Sequence, residues 1–191
     1  ISKRLLNKDI LVVDVLSVKT HPKAILVKKL PESCDILCTH PMFGPESAPD
    51  SWKDMKLVYD YIPNRAKNID RIEKYLSIFD EEGCNMIQMD SKDHDVNSAN
   101  SQFATHLIGR VLQQLDLQST TIDTKSFEKM MEIKKIVSDD SFDLFYGLYK
   151  YNPNSINTLL LIQKALLEIE IKLTKIEFDD NGIEGWKLDD E

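Results

Sequence analysis

Two side chains that can take part in proton chemistry follow short apolar runs in the first quarter of the chain. His40 comes directly after the run at residues 35–39, and Ser17 lies in the segment that leaves the run at residues 10–13. Such runs are typical of strands buried on both faces of a sheet, and open parallel sheets bind ligands at the carboxyl ends of their strands. The sequence therefore predicts a hydroxyl and an imidazole at one sheet edge, where histidine is suited to proton transfer near neutral pH.

Each of these two residues also has a simpler interpretation. His40 could cap a loop, and Ser17 could be an ordinary turn residue. A serine and a histidine together could indicate acyl transfer, but the sequence has no GxSxG elbow and no orienting acid in the usual chain order. A serine that hydrogen-bonds the histidine of a dehydrogenase fits the surrounding sheet better.

A second group of polar residues shares one face of a long helix predicted over residues 91–115. At 100° per residue, eight polar or small side chains fall within an arc of about 140°. An ordinary solvent-facing surface would carry lysines and glutamates, so this composition favours a lined cavity, with a polar helix–helix contact as the alternative. The eight residues are His94, Asp95, Ser98, Ser101, Gln102, Thr105, His106 and Gly109.

The elements that must position these side chains fall into two classes along the chain. Strands are predicted at 10–13, 35–39, 56–61 and 85–89, with helices at 21–30 and 64–82, and this alternation predicts a parallel sheet. From residue 91 the pattern is helical only. Helices are predicted at 91–115, 123–137, 141–150 and 155–178. The last of these is apolar around most of its circumference, so we expect a subunit partner to cover it.

Composition excludes several classes of function. The 191 residues carry a formal charge of -8, and no basic stripe is present to bind nucleic acid. Three cysteines are too few and too unevenly spaced for a disulfide framework or a zinc site, so we expect no metal and a reducing compartment. No run approaches the roughly 20 apolar residues of a membrane span. No secretory signal or transit segment opens the sequence.

Four ordered blocks of this sequence resemble the arogenate and prephenate dehydrogenase family of tyrosine biosynthesis, and its plant branch in particular. They are DVLSVK at 14–19, THPMFGPES at 39–47, HDVNSANSQFATH at 94–106 and DDSFDLFYGLYKYNPN at 139–154. The resemblance implies an α/β fold: the carboxyl-side part of a Rossmann-type parallel sheet, followed by an all-helical dimerisation domain. Residues 1–90 would form the partial nucleotide-binding domain and 91–178 the substrate and dimerisation domain. Residues 179–191 would form an acidic, mobile tail.

The same resemblance implies the reaction and the residues that serve it. The reaction would be an NADP-dependent oxidative decarboxylation, and the active protein would be a homodimer joined through its helical domain. His40 would accept the substrate hydroxyl proton, and Ser17 would hold its imidazole near the nicotinamide. The other implied site residues are Asp14 and Lys19 on the cofactor side, and Glu46, Gln102, Thr105, His106 and Asp140 on the substrate side.

Substrate choice is expected to depend on the charge at Asp140. Arogenate carries an ammonium where prephenate has a keto group, so a carboxylate should favour arogenate. Two alternatives stay open: Asp140 could instead cap the helix that starts near Ser141, and the substrate could be prephenate, giving 4-hydroxyphenylpyruvate.

The resemblance leaves three further questions about the whole protein. The sequence contains no GxGxxG loop, which the family carries before the first matched block, so NADP follows from the plant branch only. A catalytically inactive, truncated dimerisation partner is the competing function. The expected compartment is the plastid stroma or the cytosol, for a protein neither secreted nor embedded in a membrane.

Overall fold

The computed structural model describes residues 9–44 and 47–174. Glu46, which the resemblance places at the mouth of the substrate pocket, lies outside the described residues. So do residues 175–178 of the last predicted helix and the predicted acidic tail at 179–191.

Four strands form one sheet, in the spatial order in which they occur along the chain. They are β1 (Leu11–Asp14), β2 (Asp35–Pro41), β3 (Lys56–Tyr61) and β4 (Asn85–Gln88). Helix α1 (Thr20–Lys29) connects β1 to β2, and helix α2 (Ile69–Glu81) connects β3 to β4. The apolar runs thus predict all four strands, and His40 lies at the carboxyl end of β2 as expected.

The sheet is mixed, whereas the alternation of elements predicts parallel strands throughout. β1 pairs with β2 and β3 with β4 in parallel, but β2 and β3 are antiparallel, with His40 opposite Val58. Parallel neighbours need a crossover connection, usually a helix. The segment between β2 and β3 has no helix among its described residues, so the chain turns back beside β2 instead.

Helix α2 begins later than its apolar period predicts. The prediction starts it at Asn64, but Asn64 has a φ of 64° and lies in a turn. Asn68 is the N-cap, and its side chain accepts a hydrogen bond from the backbone N–H of Arg71. Capping chemistry, rather than hydrophobic period, therefore sets the start of this helix.

The helical region begins at Ser91 with one long helix that contains a π-helical turn. Helix α3 (Ser91–Ser98), the π turn (Ala99–Phe103) and helix α4 (Ala104–Gln114) follow one another without a break. A π turn winds more residues per turn than an α-helix, so side chains after it are rotated away from the face predicted at 100° per residue. Ser101 and Thr105, predicted on the polar face, are exposed, while Ala99 and Phe103 are buried.

Three more helices complete the described structure: α5 (Lys125–Asp139), α6 (Phe142–Tyr151) and α7 (Ser155–Thr174). Gly109 allows α4 and α5 to approach closely, because a Cβ atom at this position would lie 2.6 Å from Val137. Phe103 packs with Val18 and Leu148 in a small core that joins the π turn to the segment after β1. This packing fixes α3 and α4 against the sheet edge that carries His40.

Candidate active site

Two buried histidines meet where the sheet joins the helical region. The Nδ1 atom of His40, at the end of β2, lies 2.8 Å from the Nε2 atom of His94 in α3. Their side chains are 4% and 3% exposed, respectively. The hydrogen bond of His40 among the described residues is made by Nδ1, and its second ring nitrogen, Nε2, makes none there. The arrangement therefore leaves one nitrogen of His40 available to a bound molecule.

Asp95 anchors this pair to the amino end of α1. One carboxylate oxygen of Asp95 lies 3.0 Å from Nδ1 of His94, and the same oxygen accepts a hydrogen bond from the backbone N–H of Lys19 at 2.8 Å. The other carboxylate oxygen accepts a hydrogen bond from the backbone N–H of Thr20 at 2.9 Å. Lys19, the N-cap residue of α1, makes no side-chain capping bond of its own. A carboxylate at a helix amino terminus satisfies free N–H groups and interacts favourably with the helix dipole. Asp95 thus caps α1 from a different helix.

The electrostatics of these residues favour a neutral His40 beside an ionised Asp95. Burial, together with the nearby His94 and Lys19, lowers the pKa of His40 to about 3. Burial raises the pKa of Asp95, but hydrogen bonds from His94, Thr20 and Lys19 outweigh burial and hold this pKa below its ordinary value. At neutral pH, His40 is therefore an uncharged acceptor, and the negative charge lies on Asp95.

Ser17 lies close to the expected place but is not the hydrogen-bond partner of His40. It is half-buried in the loop after β1, which leaves the sheet beside the β2 end that carries His40. The structure gives Nδ1 of His40 a bond to His94 instead. Val15 and Leu16, in the same loop, are 55% and 56% exposed and present an apolar surface at the sheet edge.

Asp14 and Lys19, expected on the cofactor side, form a buried ion pair with each other. The Lys19 ammonium lies 2.7 Å from the Asp14 carboxylate and donates a second bond to the backbone carbonyl of Thr39. The hydroxyl of Thr39 donates in turn to the backbone carbonyl of Asp14. Burial lowers the pKa of Lys19, although Asp14 opposes this shift. Both charges are therefore engaged in holding the ends of β1 and β2 together.

A second polar cluster lies further along the long helix. Nε2 of His106 lies 3.7 Å from a carboxylate oxygen of Asp140. Arg110, one turn later, donates a hydrogen bond to the backbone carbonyl of Asp140. Nδ1 of His106 and Nε of Arg110 are buried without a hydrogen-bond partner among the described residues. Burial lowers the pKa of His106, against the opposing charge of Asp140.

Asp140 does not cap the following helix, which was the alternative to a substrate contact. Ser141 is the N-cap of α6, and its hydroxyl oxygen accepts the backbone N–H of Leu144. The Asp140 side chain is 39% exposed and directed to His106. The carboxylate is therefore available for a contact with a ligand.

Gln102 and Thr105, the remaining predicted substrate residues, differ in their placement. The half-buried Gln102 accepts a hydrogen bond from the hydroxyl of Ser98, between the two histidine clusters. Thr105, two residues after the π turn, is exposed. With a helical rise of 1.5 Å per residue, His106 lies roughly 18 Å along the axis from His94. The two clusters therefore mark the ends of one elongated polar face.

Several residues of this site have no role in the sequence prediction. His94 and Asp95 are placed there on the polar arc without a function, and Arg110 and Asn152 are absent from it. The Asn152 side chain donates to the backbone carbonyl of Asp95 at 2.7 Å. The available signal was the adjacent His-Asp pair at the start of a helix that follows a strand, because such a pair reaches the sheet edge where His40 lies.

Neither a metal-binding cluster nor a membrane-spanning helix is found in the part of the chain that the structure describes. No group of three His, Cys, Asp or Glu side chains in this part of the chain is placed to hold a metal ion. None of the helices in residues 9–44 and 47–174 combines the length and apolarity that crossing a membrane requires.

Comparison with known proteins yields similarities in sequence and in fold. The family model described as the TYRAAT1-like C-terminal domain matches residues 111–181. Arogenate dehydrogenase 2, chloroplastic, of Arabidopsis thaliana is 46% identical over 170 residues, which are 88% of this chain and 48% of that protein. Arogenate dehydrogenase 1, chloroplastic, of the same plant is 43% identical over 172 residues, 88% of this chain and 27% of that protein.

A solved structure supports the fold. Prephenate dehydrogenase from Aquifex aeolicus, solved in complex with hydroxyphenyl propionate and NAD+, superposes with a TM-score of 0.65 at 15% identity. The match covers 86% of this chain and 59% of that one, and it confirms the Rossmann-type α/β sheet followed by a helical region. The chain spans about half the length of the first Arabidopsis relative and about a quarter of the second. These findings confirm the resemblance predicted from the four sequence blocks: over most of its length, this chain is similar to the plant arogenate and prephenate dehydrogenases.

Proposed function

We propose that this chain carries the proton-accepting and substrate-binding residues of a dehydrogenase active site that converts arogenate to tyrosine by oxidative decarboxylation. The observation that carries the proposal is the buried chain of contacts from Asp95 through His94 to His40, which leaves Nε2 of His40 free. A fixed imidazole with one free nitrogen can accept the proton of a substrate hydroxyl. The similarity to the Arabidopsis arogenate dehydrogenases supplies the substrate class.

The residues of this chain would orient the substrate and remove one proton. Nε2 of His40 would accept the hydrogen of the ring hydroxyl as the carbon–oxygen bond gains double-bond character. Loss of carbon dioxide makes the ring aromatic, so the protein mainly has to position and polarise the substrate. His106 and Asp140, at the other end of the polar face, would hold the substrate's charged groups.

A nicotinamide dinucleotide would supply the hydride acceptor. Part of its site fits the structure: the exposed apolar side chains of Val15 and Leu16 lie in the loop beside His40 and would pack against the nicotinamide end. The phosphate end needs a glycine-rich loop of a kind that this sequence does not contain. We propose NADP rather than NAD because the sequence resembles the plant branch of the family, and we propose residues 1–90 as the cofactor side and 91–178 as the substrate side.

The proposed reaction is tested by turnover. This chain, fused behind the glycine-rich nucleotide-binding segment of Arabidopsis arogenate dehydrogenase 2, is supplied with arogenate or prephenate and with NADP+ or NAD+. We expect reduced cofactor and tyrosine to form, fastest with arogenate and NADP+. A folded fusion that reduces neither cofactor with either substrate would disprove the enzymatic proposal and favour the inactive dimerisation partner.

Substrate preference gives a prediction at Asp140. Asp140→Asn removes the carboxylate while keeping its size, so kcat/KM for arogenate should fall about 10- to 100-fold, as expected for a charge-assisted hydrogen bond worth roughly 1.5–3 kcal/mol. The kcat/KM value for prephenate should stay unchanged or rise. Asp139→Asn is the matched control, because Asp139 is the exposed neighbour. An unchanged ratio of the two kcat/KM values in Asp140→Asn would contradict the assigned role.

We further propose that the active protein is a homodimer that buries the apolar surface of α7. Six leucine and isoleucine side chains on this helix are each more than half exposed: Leu160, Leu161, Leu166, Leu167, Ile169 and Leu173. An exposed apolar surface of this extent is typical of an interface between subunits. A second copy presents the same helix and can match it symmetrically.

The dimer is tested by substitution on α7. Leu161→Glu combined with Leu166→Glu should convert the protein to a monomer in sedimentation velocity, because each change would bury an unpaired carboxylate in the interface. Gln163→Glu adds one negative charge at an exposed polar position of the same helix and should leave the dimer intact. A wild-type chain that sediments as a monomer at all accessible concentrations would contradict the proposal.

We also propose the plastid as the compartment of this protein, because the similar Arabidopsis proteins are chloroplastic.

A further inference from the structure

We propose that His94 and Asp95 form a proton relay behind His40, in which Asp95 fixes the tautomers of both imidazoles and His94 takes up the positive charge when His40 receives a proton. His40 remains the catalytic residue, whereas His94 and Asp95 act through it as positioning residues. The inference deepens the proposed function and rests on it for its catalytic use, but the tautomers can be observed without any substrate.

The tautomers follow from the donors around Asp95. Its carboxylate accepts two backbone N–H groups at the start of α1, and it also faces Nδ1 of His94. A carboxylate only accepts hydrogen bonds, so Nδ1 of His94 must carry a hydrogen. In a neutral His94, Nε2 is then a bare acceptor.

The tautomer of His94 in turn determines the tautomer of His40. Nε2 of His94 lies 2.8 Å from Nδ1 of His40, so a bare Nε2 requires that Nδ1 of His40 carry the hydrogen. Nε2 of His40 is then bare, and it is the nitrogen without a partner among the described residues. One buried carboxylate thereby determines which nitrogen of His40 can accept the substrate proton.

The relay also gives the proton a place to go. When Nε2 of His40 accepts a substrate proton, its Nδ1 hydrogen can pass to Nε2 of His94, which lies 2.8 Å from Nδ1. His40 is again neutral, and the positive charge lies on His94 beside the Asp95 carboxylate. The lowered pKa of His40 supports this transfer, since burial and nearby Lys19 make a lasting charge on His40 itself unfavourable.

The surroundings hold the relay in place. Asn152 binds the backbone carbonyl of Asp95, and Asp60 caps the start of α3 by accepting from the backbone N–H and hydroxyl of Ser91. The carboxylate of Asp95 is 1% exposed, so water does not compete for it. Groups that are fixed in this way need little rearrangement when charge moves through them.

The test reads the tautomers by NMR in the complete chain. The sequence has only four histidines, so two-bond 1H–15N spectra of 15N-histidine-labelled protein can be assigned by replacing each one. At neutral pH, we expect Nδ1 of both His40 and His94 to give the resonance of a protonated nitrogen, and Nε2 of both to give that of a bare one. Observation of a hydrogen on Nε2 of His40, or of a cationic His94 in the resting protein, would overturn the inference.

Two variants of His94 separate the relay from simple packing. A glutamine in His94→Gln can accept from His40 through its oxygen and donate to Asp95 through its amide, so His40 should keep its hydrogen on Nδ1. A leucine in His94→Leu can do neither, so the hydrogen of His40 should move largely to Nε2. Identical His40 spectra in these two variants, both folded by circular dichroism, would show that His94 only fills space.

Asp95→Leu tests the origin of the order. A leucine has a similar branched shape but accepts no hydrogen bond, so nothing then holds the hydrogen on Nδ1 of His94, and His40 should carry its hydrogen on either ring nitrogen rather than on Nδ1 alone. A His40 that keeps its hydrogen on Nδ1 alone in folded Asp95→Leu would contradict the role of Asp95. Correct tautomers in a fusion that turns over neither substrate would count against the proposed reaction alone, whereas wrong tautomers in an active fusion would count against the relay alone.

Discussion

Replacing His40 with alanine is expected to lower kcat for arogenate oxidation by about 10²- to 10⁴-fold, the range for loss of a positioned general base. The reason is that Nε2 of His40 is the free end of the buried contacts from Asp95. Steady-state turnover of the fusion protein and the dissociation constant of arogenate measure the two effects. The dissociation constant should change much less than kcat, because the charged ends of the substrate would be held by other groups.

A second histidine supplies the control for this experiment. His21 stacks on Tyr151 with ring centroids 4.5 Å apart and has no contact with the relay among the described residues. His21→Ala should therefore leave kcat within a few-fold of the wild type, although it removes the same ring. If His40→Ala weakens arogenate binding as much as it slows turnover, His40 only binds the substrate, and its assignment as the base is wrong.

The order of the elements could be predicted from the sequence because it depends on local patterns. Short runs of four to six residues predict the strands, and the three- and four-residue spacing of apolar residues predicts the helices. His40 could be placed at a sheet edge for the same reason, since its position depends only on the end of β2. The direction of β3 could not be predicted, because it depends on whether the preceding connection contains a helix.

Contacts between distant segments account for most of what was missed in the site. His40 and His94 are 54 residues apart in the sequence, and Asp95 binds the backbone of a residue 76 positions away. Periodicity places His94 and Asp95 on one helix face but says nothing about what faces them. The π turn is a further reason. Its five residues are wound differently from an α-helix, and Ser101 and Thr105 are exposed to solvent. The turn coincides with the packing of Phe103 in a small core, which local composition does not indicate.

The contact between Lys19 and Asp14 leads to the largest expected effect on stability. Lys19→Met keeps an unbranched side chain of similar length but leaves the buried Asp14 carboxylate without its partner. Removal of one member of a buried ion pair costs about 3–5 kcal/mol, so the free energy of unfolding, measured by urea denaturation, should fall by this amount. Asp14→Asn should cost less, because a buried lysine can lose its proton, and the pKa of Lys19 is already lowered by burial.

The double variant and the pH dependence distinguish an unpaired charge from poor packing. Asp14→Asn with Lys19→Met buries no charge and keeps an acceptor for the backbone N–H of Leu16, so it should recover much of the stability lost in Lys19→Met. The pKa of Lys19 is lower in the folded protein than in the unfolded chain. At pH values between these two pKa values, the unfolded chain binds more protons at this lysine than the folded protein does. The free energy of unfolding of the wild type therefore rises with pH in that range. Lys19→Met lacks this contribution, so its deficit should widen from neutral to alkaline pH. A double variant no more stable than Lys19→Met would show that packing of the lysine chain, and not its charge, holds the ends of β1 and β2 together.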